Sequence, residues 1–263
     1  MANPDRTVHP FLRGLESPRI LAHRGLVTDE MRADGILENS VAAIAAAEAV
    51  GADIIESDCH RTSDGQIVLF HDDRLERILG DPRRISDVTT HELEEMMATR
   101  GGLARLADAL AGFPGVRFNI DVKADAAAHE AGRIAGQFAE RVLLTSFSDR
   151  RRQAAMRAAR AIGGAPATSA GTSTVAQAYA ASRLRWRRAT ARALRGIDAL
   201  QVPERHGRVR IVTPAFVDAA HACGAEVHVW TVNELADMDR LAAIGVDGIV
   251  TDRADLALQH FGR

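Results

Sequence analysis

Short apolar runs rich in Val and Ile alternate with longer alanine-rich segments of helical period from end to end of the 263-residue chain, and this alternation constrains the fold most. Strands are predicted at 19–24, 53–58, 117–122, 141–146, 165–169, 199–202, 226–231 and 248–252. Helical patterns lie between them at 40–50, 104–112, 126–139, 149–162, 175–194, 214–223 and 234–243, with a closing turn or two after Asp252. Strand then helix, eight times over, specifies an α/β fold of the (β/α)8 TIM-barrel type. No Pro/Gly/Ser-rich linker divides the pattern, so one domain over 1–263 is expected, with 1–18 as an N-terminal extension. Caps are expected at Asn39-Ser40, Ser148-Asp149, Thr213-Pro214 and Asn233-Glu234, and stops at Gly51, Gly164, Gly224 and Gly245. The segment 62–100 is too long for a strand-to-helix loop. It reads as a hairpin arm at 65–72 followed by a short helix at 90–98, inserted after a strand and therefore on the catalytic face.

Composition excludes several function classes. Thirty-three basic against 35 acidic side chains give a net charge of -2, so no global field attracts nucleic acid and an anionic ligand must be held locally. Cys59 and Cys223 are the only cysteines, too few for a disulfide framework or a zinc cluster, which suits a reducing compartment with the cytosol as default. The first residues lack the apolar core of a signal peptide, and no stretch of about 18 apolar residues could span a bilayer.

In a parallel barrel the chemistry sits at the C-terminal ends of the strands, and here those ends are dense in polar side chains. The first strand closes on His23-Arg24-Gly25, the second carries Glu56 and Asp58, the third Asp121 and Lys123, and the hairpin arm ends in His71-Asp72. Spacing of two puts Glu56 and Asp58 on one side of their strand, and Asp121 and Lys123 on one side of theirs. Three converging carboxylates call for a cation, and an all-oxygen set favours Mg2+ or Ca2+ over zinc. The alternative is that Glu56 or Asp58 points outward and caps the next segment. Arg24 and Lys123 bring positive charge to the same rim and, with a metal, would clamp a phosphate. His23 and His71, on two separate segments beside carboxylates and cations, favour an acid and base pair over two structural histidines.

The order Leu21-Ala22-His23-Arg24-Gly25, Glu38-Asn39-Ser40, Glu56-Ser57-Asp58, Thr62-Ser63-Asp64-Gly65 and His71-Asp72 resembles the signature of glycerophosphodiester phosphodiesterases. The likeness continues through Asn119-Ile120-Asp121-Val122-Lys123, Thr145-Ser146-Phe147, Trp230-Thr231-Val232-Asn233 and the run 245–252, leaving out about 18 N-terminal residues and 172–194. It implies a metal-dependent hydrolysis of glycerophosphodiesters to sn-glycerol 3-phosphate and an alcohol. Glu56 and Asp58 then match the metal-binding pair, and Asp121 a third ligand that is usually Glu. His23 and His71 match the general acid and base, and Arg24 and Lys123 the phosphate-holding residues. The shorter Asp121 sets its carboxylate roughly one bond farther back, which puts metal affinity and choice in question. The family route implied is attack by the glycerol 2-hydroxyl, giving a cyclic phosphate that water opens.

Trp230 closes a strand and reads either as an apolar wall beside the substrate or as a core residue. Glu38 and Asn39 read best as a helix cap with a first-turn acid, ahead of a part in orienting Arg24. Arg183, Arg185, Arg187, Arg188, Arg192 and Arg195 crowd one helical stretch around Trp186, with 185, 188, 192 and 195 along one face. A solvated face is the plainer reading, and contact with an anionic lipid surface the other. Two further functions compete with the diesterase: a lysophospholipase D type activity, and a phosphate-binding barrel without turnover.

Overall fold

The computed structural model describes residues 8–263; the part of the predicted extension at 1–7 lies outside the described residues. In chain order the strands are β1 (Arg19–His23), β2 (Ile54–Arg61), β3 (Ile67–Leu69), β4 (Arg117–Val122), β5 (Val142–Thr145), β6 (Ala167–Thr168), β7 (Ala199–Pro203), β8 (Arg205–His206), β9 (Val209–Arg210), β10 (Glu226–Trp230) and β11 (Gly248–Thr251). The helices are α1 (Asp29–Ala33), α2 (Val41–Ala49), α3 (Glu76–Leu79), α4 (Thr90–Met97), α5 (Leu106–Gly112), α6 (Ala128–Gln137), α7 (Asp149–Ala161), α8 (Thr172–Arg183), α9 (Arg187–Ala193), α10 (Pro214–His221), α11 (Leu235–Ala243) and α12 (Ala254–His260).

Eight parallel strands pair in the order β6-β5-β4-β2-β1-β11-β10-β7. Between β6 and β7 the ring is drawn together by one bridge, Ser169 with Ala199, and by backbone bonds from Ala170 N to Ala199 O (3.1 Å) and Asp198 N to Thr168 O (2.8 Å). All eight predicted strands occupy barrel positions. Alternation along each strand sends one set of side chains outward against the helices, including Ile20, Ala22, Ile55, Phe118 and Ile120. The inward set lays a floor of Leu21, Ile54, Leu143, Ala167, Ala199 and Val250, stoppered from below by Phe11 and Leu12. The Arg117 guanidinium holds that stopper by donating to Phe11 O (2.9 Å) and Arg13 O (2.9 Å).

The 62–100 segment pairs β3 antiparallel to the end of β2, Cys59 opposite Leu69, and packs its own small core of Val68, Phe70, Leu75, Ile85, Val88, Leu93 and Met97. Asp64 ties it down, accepting from Thr62 Oγ1 (2.6 Å), Thr90 Oγ1 (2.9 Å) and Thr90 N (3.0 Å).

Several local expectations are corrected. The helix expected over 175–194 is two, because the chain turns at Leu184–Trp186 with Arg185 at φ 56; the single face of 185, 188, 192 and 195 therefore does not exist. Ser40, Ser148 and Thr213 cap as expected, accepting from Ala43 N, Arg151 N and Phe216 N, but Asn233 caps nothing and spends its side chain on Thr251 and Asp252. The stop assigned to Gly164 belongs to Gly163 (φ 85), while Gly164 lets the chain approach Gly136, whose carbonyl oxygen would lie 2.2 Å from an added Cβ. The hairpin β8–β9 and the short helices α1 and α3 had no expectation attached. Among the described residues no helix is long and apolar enough to cross a membrane.

Candidate active site

The inward positions above the floor bring the polar strand ends together at the top of the barrel. They open into a cavity of about 610 Å³ lined by His23, Arg24, Glu56, Asp58, His71, Asp121, Lys123 and Trp230, so the eight residues singled out from the sequence share one site. His23, Glu56, Asp58 and Asp121 stand on β1, β2 and β4, Arg24 and Lys123 directly follow β1 and β4, and Trp230 ends β10. His71 is carried in by the insertion, on the segment after β3.

Each histidine is held by a carboxylate. His23 Nδ1–H donates to Asp252 Oδ1 (2.6 Å), leaving Nε2 3.9 Å from Glu56 Oε2. Asp252 also accepts from Asn233 Nδ2 (2.8 Å), while its own N–H donates to Asn233 Oδ1 (2.9 Å). The hydrogen bond from His23, with that from Asn233, holds the Asp252 carboxyl below the ordinary range although burial opposes it. His71 Nδ1–H donates to Asp72 Oδ1 (2.5 Å), and Arg77 Nε to Asp72 Oδ2 (2.5 Å). Burial would raise the Asp72 carboxyl, but Arg77 and His71 outweigh it and hold it low. Ionised acceptors on Nδ1 fix the tautomer and leave each Nε2 for the cavity.

Arg24 takes a left-handed backbone (φ 57), and its guanidinium donates to Glu38 Oε1 (2.9 Å). Glu38 Oε1 also accepts from Arg77 Nη2 (2.7 Å), so one carboxylate links both cationic flanks of the site. This corrects the reading of Glu38 and Asn39 as a cap and first-turn acid: α2 starts two residues later, Glu38 orients Arg24, and buried Asn39 accepts from Ser57 Oγ (2.6 Å).

Glu56, Asp58 and Asp121 all point inward, which settles the alternative of an outward cap. Burial drives the Glu56 carboxyl well above the ordinary range, and Asp58 and Asp121 push the same way. Asp121 is raised by burial too, with Lys123 opposing. The Lys123 ammonium lies between Asp58 Oδ1 (2.8 Å) and Asp121 Oδ2 (2.7 Å); burial would lower it, but the two carboxylates keep it above the usual lysine range. Lys123 thus serves the carboxylates as well as the rim, a pairing that strand spacing alone does not reveal. Glu56 Oε2, Asp58 Oδ2 and Asp121 Oδ1 remain buried without a hydrogen-bond partner. Arg24 Nε stands 3.5 Å from Asp58 Oδ2 and His23 Nε2 3.9 Å from Glu56 Oε2, but buried carboxylates without hydrogen bonds at these oxygens are costly to ionise unless a further cation meets them. Their all-oxygen chemistry fits a hard divalent ion, although among the described residues no three ligating side chains already form a cage.

The other half of the cavity is apolar, walled by Phe147, Val175, Ala176, Tyr179, Ile211 and Trp230. Trp230 is half-buried and meets Phe147 edge-on, ring centroids 5.7 Å apart, so it is a wall residue. Lys123 Nζ lies 5.2 Å from the centre of the Phe147 ring, where wall and polar end join. Cys59 is buried in β2, its thiol pushed up by burial, and does not line the cavity.

The glycerophosphoryl diester phosphodiesterase family model matches residues 23–256, beginning at the histidine that closes β1 and covering every site residue above. The chain belongs to this family. Among the phosphodiesterase-family relatives, a probable glycerophosphodiester phosphodiesterase 2 of Mycobacterium tuberculosis is 36% identical over 239 residues, 90% of this chain and 88% of the relative. A lysophospholipase D of Homo sapiens is 31% identical over 117 residues, 39% of this chain and 35% of its own length. In three dimensions the chain is similar to an Oleispira antarctica phosphodiesterase in complex with the product sn-glycerol-3-phosphate, with TM-score 0.68 at 19% identity over 94% of this chain and 97% of the other. It is equally similar to a Thermotoga maritima glycerophosphodiester phosphodiesterase, TM-score 0.68 at 22% identity over 93% and 99%. At these identities the structural likeness speaks for the barrel.

Proposed function

We propose that the chain hydrolyses glycerophosphodiesters to sn-glycerol 3-phosphate and an alcohol, with Glu56, Asp58 and Asp121 holding one divalent cation, Mg2+ or Ca2+. The observation that carries this reading is the pair of carboxylate-fixed histidines facing one cavity over three buried carboxylate oxygens that take no hydrogen bond. A bound cation would offset the negative charge that grows on the non-bridging phosphate oxygens.

The chain's own residues supply the rest. Arg24 and Lys123 hold the diester's phosphate, and Glu38 keeps Arg24 aimed at it. Of His23 and His71, one removes the proton from the glycerol 2-hydroxyl as it attacks phosphorus, and the other protonates the departing alkoxide. Water then opens the cyclic phosphate with the roles reversed, so no cysteine or serine nucleophile is required. Binding alone would not call for two oriented imidazoles, which weighs against a barrel that only stores phosphate. The two free cysteines suit a cytoplasmic setting.

The apolar wall of Phe147, Tyr179, Ile211 and Trp230 favours a second substrate class, diesters whose leaving alcohol carries an acyl chain, as in a lysophospholipase D type activity. The test is product release from glycerophosphocholine and from lysophosphatidylcholine, each with and without EDTA. Turnover that EDTA abolishes and added Mg2+ or Ca2+ restores supports the proposal. Turnover indifferent to chelation removes the cation, and tight phosphate binding without turnover leaves the binding barrel.

A further inference from the structure

Charge is unevenly spread along this nearly neutral chain. Residues 150–197 hold eleven arginines and no carboxylate. Three at the start of α7 find partners, Arg150 and Arg151 on Asp125 and Arg152 on Asp149 of its own helix. The six around α9, Arg183, Arg185, Arg187, Arg188, Arg192 and Arg195, are exposed and have no carboxylate partner among the described residues. The turn between α8 and α9 sits among them and presents Leu184 at 56% and Trp186 at 61% exposure.

The inner face of α8 builds the active-site cavity. Val175, Ala176 and Tyr179 of this helix line the apolar half, and Tyr179 OH donates to Arg210 O (3.2 Å) of the β8–β9 hairpin. That hairpin contributes His206 to the lining, exposes Val209 at 48%, and adds Arg205 and Arg208, also without carboxylate partners among the described residues. The unpaired guanidiniums, with an exposed indole and isobutyl group, thus follow directly on the helix whose earlier residues wall the cavity, and the hairpin that Tyr179 meets adds two more.

We propose that the α8–α9 turn and the β8–β9 hairpin dock on an anionic bilayer surface. The arginines would meet lipid phosphates while Trp186 and Leu184 enter the interfacial layer. An acidic protein would satisfy the arginines but would need a pocket for the indole between Arg185 and Arg187 and further ones for Leu184 and Val209. A bilayer satisfies both, because its interface pairs anionic headgroups with a layer where tryptophan partitions well. Docked this way, the hairpin that lends His206 to the cavity lining lies against the source of an acyl-bearing diester; this consequence rests on the phosphodiesterase reading, whereas the docking does not.

The test is co-sedimentation of the whole chain with vesicles of equal parts phosphatidylglycerol and phosphatidylcholine, against vesicles of phosphatidylcholine alone. The wild type should sediment with the anionic vesicles only, and less at high salt. Arg188→Glu with Arg192→Glu should weaken retention at least tenfold, and Trp186→Ser should weaken it and abolish a blue shift of indole emission on binding. All should hydrolyse glycerophosphocholine at the wild-type rate, which shows that they fold. Equal sedimentation with neutral vesicles, or no sedimentation at all, overturns the proposal while leaving the hydrolysis result intact. Loss with the arginine variants but not with Trp186→Ser also overturns it, because the indole then stays out of the interface and the arginines meet anionic charge of any source.

Discussion

Asp252→Asn changes one atom at the His23 pair and forces the local hydrogen bonds to conflict. In the native site, one carboxylate oxygen accepts from His23 Nδ1 and the other from Asn233 Nδ2. An asparagine there has one acceptor and two donors. If its oxygen faces His23, its amide meets the Asn233 amide, donor against donor. If it flips, its amide donates to His23 Nδ1, which must give up its proton and move it to Nε2, the atom facing the cavity. The first outcome forfeits a charge-assisted hydrogen bond worth about 1.5–3 kcal/mol, or roughly 10- to 150-fold in rate if the loss falls wholly on the transition state. The second inverts the tautomer and removes His23 as a base, with a loss of about 100- to 10,000-fold. Initial rates of glycerol 3-phosphate release should therefore show kcat/KM down at least tenfold with KM little changed. Asn233→Asp added to Asp252→Asn supplies a new acceptor for the amide introduced at position 252 and should restore part of the loss. A single mutant within threefold of wild type, or a double mutant no better than the single, would refute the argument that Asp252 orients His23.

Glu56→Gln and Asp58→Asn should each remove measurable Mg2+ or Ca2+ binding by calorimetry and most activity, while Asp121→Glu keeps activity. Retained ion affinity in both amides would reassign the ligands. His71→Ala should cut turnover by roughly a hundredfold with smaller effects on ligand affinity, and a loss under tenfold would strip His71 of its proton-transfer part. Because burial raises Glu56 and Asp121, the stability they give as neutral acids is present below the ordinary carboxylate range and is lost as pH rises through their elevated values. Melting of the metal-free chain should thus worsen as pH rises above the ordinary carboxylate range, and saturating Mg2+ or Ca2+ should recover more at the upper end; a metal-induced shift independent of pH contradicts this. A 2-deoxyglycerol diester should bind yet resist hydrolysis, and rapid turnover would mean that water attacks directly.

Periodicity carried the barrel because its eight strands are buried on both faces and the main helices between them on one, so those elements wrote their own signal in apolar spacing. The site was legible for a related reason: a polar side chain at the end of an apolar run stands out, as His23, Glu56, Asp58 and Asp121 do. What spacing could not convey is which distant side chains answer them. Asp252 lies 229 positions from His23, and Glu38, which holds Arg24, reaches Arg77 across 39. Asn233 looked like a helix cap because caps use the same side-chain chemistry, yet tertiary contact with Asp252 claimed it. The break at Leu184–Trp186 was hidden because arginine, leucine and tryptophan all tolerate a helix, and the left-handed turn at Arg185 falls on a residue that does not advertise it.

The barrel is less a welded ring than a hoop with a clasp. Seven of its eight joints are ladders of paired residues, whereas β6 is two residues long and reaches β7 through one bridge. Ala170 and Thr172, just past that clasp, already form part of the cavity wall, and α8 swings from the same point. Slack at this joint would widen the apolar half without shearing the opposite arc of β1, β2 and β4, where the histidine and carboxylates are registered residue against residue. Bulky and slender alcohols could then share one catalytic geometry, and amide exchange at Ala170 and Asp198 should run ahead of that at Ala22 and Ile55.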